Sequence, residues 1–240
     1  MTLPEICQVY SWFAIVTREL FLPFPHPVKS QVALADKLSS SFLLEALEAV
    51  GFIKNEKFRA QALVVLVDKL PSSFLLEALE SVESIENIKF RAEVLAALAD
   101  KLPSALLPEA LKTARNIKDE KFGTQVLVAL ADKLPSALLP EALKTAINIE
   151  DERFRTQVLV ALADKEPQLS LEVLETLKYT WDEEFLVQAL AVLADKQPQL
   201  LPEILKVLGN IKNEEFKTQL LVTLANKEPQ LLPEALKAVR

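Results

Sequence analysis

Two kinds of segment alternate along the chain, and hydrophobic patterning alone tells them apart. In the first kind the apolar residues run without a break, as from Val126 to Ala131. Only Lys121, Gln125, Val128 and Asp132 then share a face that is free of large apolar side chains, at the three- and four-residue spacing of one helical stripe. A helix written this way must be flanked on most of its sides. In the second kind, Leu106, Leu107, Ala110, Leu111 and Ala114 fall on one side of a helical wheel and Pro108, Glu109 and Lys112 on the other, which is the pattern of an amphipathic surface helix. Alternation of a nearly enclosed helix A with a half-exposed helix B predicts a two-layer stack of hairpins, each burying its core against both neighbours.

The pattern repeats. Asp100 to Ala114 reads DKLPSALLPEALKTA, and Asp132 to Ala146 reads the same fifteen residues, an identity that marks duplication. Aspartate recurs at Asp36, Asp68, Asp100, Asp132, Asp164 and Asp195, with Asn226 in the seventh place, while phenylalanine keeps step at Phe58, Phe90, Phe122, Phe154, Phe185 and Phe216. The period shortens from 32 to 31 residues after Asp164, where the turn segment PSALLPEAL loses one residue. Three positions before each phenylalanine stands Asn55, Asn87, Asp119, Asp151, Asp182 or Asn213, so each helix A has an N-cap able to satisfy an orphan amide. Helix A then extends for about 14 residues, roughly 21 Å, to a Leu-Pro or Glu-Pro stop. Ser72, Ser104 and Ser136 are placed to cap helix B, whose proline falls in the tolerant first turn.

These residues carry a resemblance. The pattern N/D-E-x-F-x-x-Q, six apolar positions and D-K-x-P, followed by L-L-P-E-A-L, resembles the HEAT-like and TPR-like α-solenoid repeats of bacteria over residues 28–240. The resemblance implies an all-α fold, a right-handed superhelix of about six to seven antiparallel helical hairpins. The Trp, Gly and Tyr that mark the first helix of a tetratricopeptide repeat are missing. Similar arrays serve as sensor or adaptor portions of larger signalling NTPases, although no nucleotide-binding motif accompanies this one. Residues 1–27, with Tyr10, Trp12, Phe13 and Phe21 before a Pro-Phe-Pro-His-Pro turn, are expected to form an aromatic N-terminal cap.

Composition narrows the function. Lys and Arg number 27 against 34 Asp and Glu, and the two halves carry 13 and 14 of the bases, so no basic patch offers itself to a phosphate backbone and nucleic acid is not an expected partner. Cys7 and His26 are the only residues of their types, which argues against disulfides, a Cys/His metal centre or a Ser-His-Asp site. The apolar stretch from Tyr10 to Phe24 contains Arg18, Glu19 and Pro23, with Pro25 and Pro27 just after it, and lacks a basic start and a cleavage site, so neither a secretory signal nor a membrane span is expected. A cytoplasmic location is the natural reading. Helical-repeat DNA glycosylases read DNA with a basic concave surface and helical-repeat bilin lyases need a polar pocket; neither feature is evident. The expectation is a non-enzymatic scaffold or adaptor, without cofactor or metal. The alternatives are an assembly element acting through its ends, or the sensor module of a signalling NTPase.

Four surfaces are candidates for a protein or peptide partner. Along helix A runs a column of Gln61, Gln125, Gln157, Gln188 and Gln219, interrupted by Glu93, beside small apolar residues that include Val128 and Val160. Amides and small side chains suit a groove for an extended or helical peptide; the same glutamines could instead tie adjacent hairpins together. Along helix B runs the column Glu45, Glu77, Glu109, Glu141, Glu172, Glu203 and Glu234, which with lysines three residues away reads as ordinary solvated ion pairing. Trp181, with Tyr179 and Leu186, departs from the repeat; exposed aromatics anchor partners, whereas Trp181 packed on Leu186 would be a hydrophobic staple. Finally, Leu232, Leu236 and Val239 continue an interior apolar pattern with no polar cap visible, which predicts self-association through the C-terminal end, most simply a homodimer.

Overall fold

The computed structural model of the protein describes residues 40–227, Asp164 and Glu166 excepted. Among the described residues all regular structure is helical, in twelve α-helices. They are α1 (Ser40–Gly51), α2 (Glu56–Val67), α3 (Leu75–Glu83), α4 (Ile88–Ala99), α5 (Leu107–Arg115), α6 (Glu120–Ala131), α7 (Leu139–Ile147), α8 (Glu152–Ala163), α9 (Pro167–Leu177), α10 (Glu183–Lys196), α11 (Leu201–Leu208) and α12 (Glu214–Lys227). The even-numbered helices are helix A of the sequence pattern and the odd-numbered ones helix B. Hairpins succeed one another along the chain and pack on their neighbours, the arrangement of a helical-repeat α-solenoid. The aromatic cap expected in residues 1–27 and the self-association face expected at Leu232, Leu236 and Val239 lie outside the described residues.

Every complete helix A starts where its cap residue predicts. The side chains of Asn55, Asn87 and Asp182 accept amide hydrogen bonds at the head of α2, α4 and α10, and Asp119, Asp151 and Asn213 do the same for α6, α8 and α12. Helix A covers 12 residues in α2, α4, α6 and α8 and reaches 14 in α10 and α12. The shorter length arises because the DK pair, expected inside the helix, forms its closing turn: Asp68 and Asp100 are C-cap residues.

Helix B begins differently from expectation. Ser72, Ser104 and Ser136 each open a three-residue 3-10 turn, after which α3, α5 and α7 start with no side-chain cap. The 3-10 turn satisfies amides with backbone carbonyls, as Phe74 N–H does with Pro71 O at 3.0 Å, so the serine hydroxyl is not needed there. Pro108 and Pro140 do occupy the first helical turn, where a missing N–H removes nothing.

The chain separates into two compact units at Val126 and Leu127. In the first, α2 packs on α4 and both contact α3 between them. Leu63, Leu66, Leu75, Leu79, Leu95 and Leu98 are among its largest fully buried side chains. In the second, α8 packs on α10 and α10 on α12, with α9 and α11 alongside, around Leu159, Leu162, Leu190, Leu193, Ile204 and Leu220. The long helices thus meet one another directly, which is why their apolar runs are continuous. The helix B stripe behaves as written: Leu107, Ala110, Leu111 and Ala114 are buried while Pro108 and Lys112 are exposed.

Candidate functional site

In both units the stripe of helix A faces solvent. Gln61 on α2, and Lys121 and Gln125 on α6, are exposed in the first unit. In the second unit Gln157 on α8, Gln188 on α10 and Gln219 on α12 are exposed in the same register. Three or four residues further along, one helical turn, stand Val128, Val160, Val192 and Val222. Val128, Val192 and Val222 are 37%, 39% and 54% exposed, and Val160 is half-buried. Among the described residues the glutamines do not tie hairpins together. Gln188 bonds Glu184 of its own helix at 3.4 Å, and among the described residues none of the column reaches a neighbouring hairpin. A different set of residues holds the hairpins together.

The glutamate that opens helix A does more than complement the helix dipole. Its carboxylate reaches the next hairpin and accepts two successive backbone amides just where that hairpin's helix A begins. Glu56 accepts from Glu86 N–H at 2.7 Å and Asn87 N–H at 3.0 Å. Glu183 accepts from Lys212 and Asn213, both at 2.8 Å. Glu152 accepts from Trp181 N–H with both oxygens, at 3.1 and 2.9 Å, and from Asp182 N–H at 2.9 Å. One carboxylate therefore stands in the first turn of its own helix and clamps the start of the following one. The amide of Glu86 above all holds the Glu56 carboxyl below its ordinary pKa; burial opposes it, and the amide of Asn87 and the charges of Arg59 and Arg91 add to the lowering. Lys212 and Asn213 lower Glu183 in the same way. Ile88 stands in the glutamate's place in α4.

At the other end of helix A the DK pair links hairpins too. Lys101 reaches back to the carbonyl of Asp68 at 3.4 Å and to its carboxylate at 3.7 Å, and Lys165 reaches Asp132 likewise. A cation there meets the negative end of the preceding helix. Arginines at the position after phenylalanine are also structural: Arg91 donates to Ile85 O at 2.7 Å and Arg155 to Ile149 O at 2.8 Å. The isoleucines they steady, with Ile117 and Ile211, are buried plugs two residues before the cap. Sequence reasoning passed over both the plugs and the clamps, although an isoleucine was visible in Ser-Ile-Glu at 84–86 and in Asn-Ile-Lys or Asn-Ile-Glu at 116–118, 148–150 and 210–212.

Where the period shortens, Gln197 and Ser170 both donate to Ala163 O and are themselves buried, so two side chains satisfy the carbonyl left over at the end of α8. Trp181 and Tyr179, on the turn between α9 and α10, are 90% and 79% exposed, while Leu186 is buried at 4%. The staple between Trp181 and Leu186 accordingly does not form: Leu186 faces the core and the indole faces solvent. On helix B, Lys112 meets Glu109 and Lys206 meets Glu203, each at 2.7 Å, the surface pairing expected of that column.

Among the described residues no three His, Cys, Asp or Glu side chains are grouped so that they could hold a metal ion, and no helix is long and apolar enough to cross a membrane. The architecture defines a helical-repeat protein. Comparison with protein-family models, curated proteins and solved structures finds no match for the chain.

Proposed function

We propose that the protein is a non-enzymatic scaffold of the HEAT-like or TPR-like kind that captures a protein or peptide segment on the stripe of its long helices. The observation that carries this reading is the exposure of Gln157, Gln188 and Gln219, in register on three consecutive long helices of one unit and beside Val160, Val192 and Val222. A carboxamide offers one acceptor and two donors, which is what a peptide backbone needs at both its N–H and its C=O. Packed helices lie about 8 to 10 Å apart and an extended chain rises about 3.3 Å per residue, so one glutamine meets the backbone about every third residue. The valines supply apolar contact for side chains directed at the helices.

The test replaces Gln157, Gln188 and Gln219 together by Glu and compares the variant with the parent in affinity capture from source-cell lysate, read by mass spectrometry. Partners seen with the parent are expected to fall at least tenfold, as for a lost interaction of about 1.4 kcal/mol. The thermal midpoint is expected to stay within about 2 °C, because exposed positions contribute little to stability. An unchanged set of captured proteins, or a midpoint lowered by several degrees, would count against the stripe as a binding surface.

A further inference from the structure

The turn between α9 and α10 carries an observation independent of the glutamine stripe. At the position of Trp181 the neighbouring hairpins have Glu150 and Lys212, and at the position of Tyr179 they have Asn148 and Asn210. The aromatic residues in these polar places gain nothing inside the chain, being 90% and 79% exposed. The backbone beneath them is nonetheless held from both sides. Tyr179 N–H donates to Thr176 O at 3.2 Å and Thr180 N–H to Leu177 O at 3.0 Å, while Glu152 takes the amides of Trp181 and Asp182. Two rings two residues apart are thus displayed on a pinned turn, and Ile147, the last residue of α7, is 45% exposed. An anchor whose backbone is already ordered loses little entropy on binding.

The charge around the rings specifies what they suit. Residues 147–155 and 178–184 hold six carboxylates, at Glu150, Asp151, Glu152, Asp182, Glu183 and Glu184, against three cations, Arg153, Arg155 and Lys178. Each of those cations already has a carboxylate beside it, at Asp151, Glu152 and Glu175 respectively. An electron-rich indole face within a net negative surface favours a guanidinium or ammonium group, which stacks on the ring while the carboxylates supply long-range attraction. An acidic or neutral segment would meet repulsion or no attraction at the same place.

We infer that Trp181 and Tyr179, framed by Glu150 and Asp182, form a docking anchor for a basic, arginine-bearing peptide segment of a partner protein. The site is separate from the glutamine stripe and does not depend on it.

The experiment titrates the full chain carrying Trp12→Phe, which leaves Trp181 as the only tryptophan, with a short arginine-glycine peptide and with its glutamate-glycine counterpart. Indole emission is expected to change saturably with the arginine peptide, to respond less as salt is raised, and not to respond to the glutamate peptide. Calorimetry on the parent chain gives the same comparison without the Trp12 substitution. Affinity is expected to fall about two- to fivefold in Trp181→Ala, the size of one exposed cation–π contact, and to recover in part in Trp181→Phe. Glu substitutions at Gln157, Gln188 and Gln219 are expected to leave it unchanged. Equal binding of the two peptides, no saturable binding by either, or unaltered affinity in Trp181→Ala would overturn the inference.

Discussion

Two buried hydroxyls are the least satisfied polar groups in the helix A layer. The Oγ1 atoms of Thr124 and Thr156 have no hydrogen-bond partner, and both residues are almost wholly buried. In α10 the corresponding position is Val187, also buried, so the site accepts a methyl where threonine has its hydroxyl. Leaving a buried hydroxyl unpaired costs about 1 to 3 kcal/mol, and valine keeps the same branched shape. Thr156→Val is therefore expected to stabilise the protein by about 1 kcal/mol, read as a higher urea midpoint at an unchanged slope. A lower midpoint would mean that the hydroxyl is bonded in solution. Side-chain type also misleads at single positions. Trp181 is the largest apolar residue of its turn yet faces solvent, because its place in the repeat lies outside the hairpin, whereas Leu186 replaces an arginine at a position that faces inward.

At the scale of the helix, the hairpin-to-hairpin clamp is the principal polar device. Glu183 satisfies two amides that would otherwise face solvent at the start of α12, and Glu183→Ala is expected to cost about 1 to 2 kcal/mol, as loss of a helix cap does. Glu203→Ala removes only a surface pair with Lys206 and is expected to change stability by less than about 1 kcal/mol. Urea unfolding of the two variants makes the comparison, and equal losses would contradict the clamp. The clamp also ties stability to acid. The folded-state pKa values of Glu56 and Glu183 lie below their ordinary values, so their contribution is complete at neutral pH, begins to fall below the ordinary glutamate range, and is lost as pH drops through the depressed values. Glu183→Gln is expected to flatten the acid limb of a stability-pH profile measured by denaturant unfolding; an unchanged limb would show that the carboxylate is equally easy to protonate when unfolded.

Considered as a whole molecule, the array is held by contacts of limited reach. Side-chain hydrogen bonds between hairpins span from 25 residues, between Arg59 and Ser84, to 34, between Gln197 and Ala163, which is about one repeat. Stability in such a chain approximates a sum over repeats and adjacent interfaces. Removing residues 100–131, one full period, joins Ala99 to Asp132 with the pattern in phase. The product is expected to remain helical and to unfold cooperatively, at a lower midpoint by circular dichroism. A broad, non-cooperative transition would point to essential contacts beyond nearest neighbours.

The all-helical class, the hairpin period and the six helix A starts were all written in the sequence. Apolar periodicity and an Asn or Asp cap are local signals, and the physics that reads them acts within a few residues. The exposure of the Lys121, Gln125 and Val128 stripe was legible for the same reason, since one helix in a tight layer has only one free face. Links between residues about one repeat apart were not legible. That Glu56, Glu152 and Glu183 clamp the next hairpin, that Lys101 and Lys165 reach back to the preceding aspartate, and that Gln197 and Ser170 close the shortened turn all depend on where a neighbouring backbone places its unpaired amides and carbonyls. Only packing brings those groups within about 3 Å of one another, so the tertiary structure decided which repeated polar residues hold the array together and which, like the glutamines and Trp181, are left facing outward.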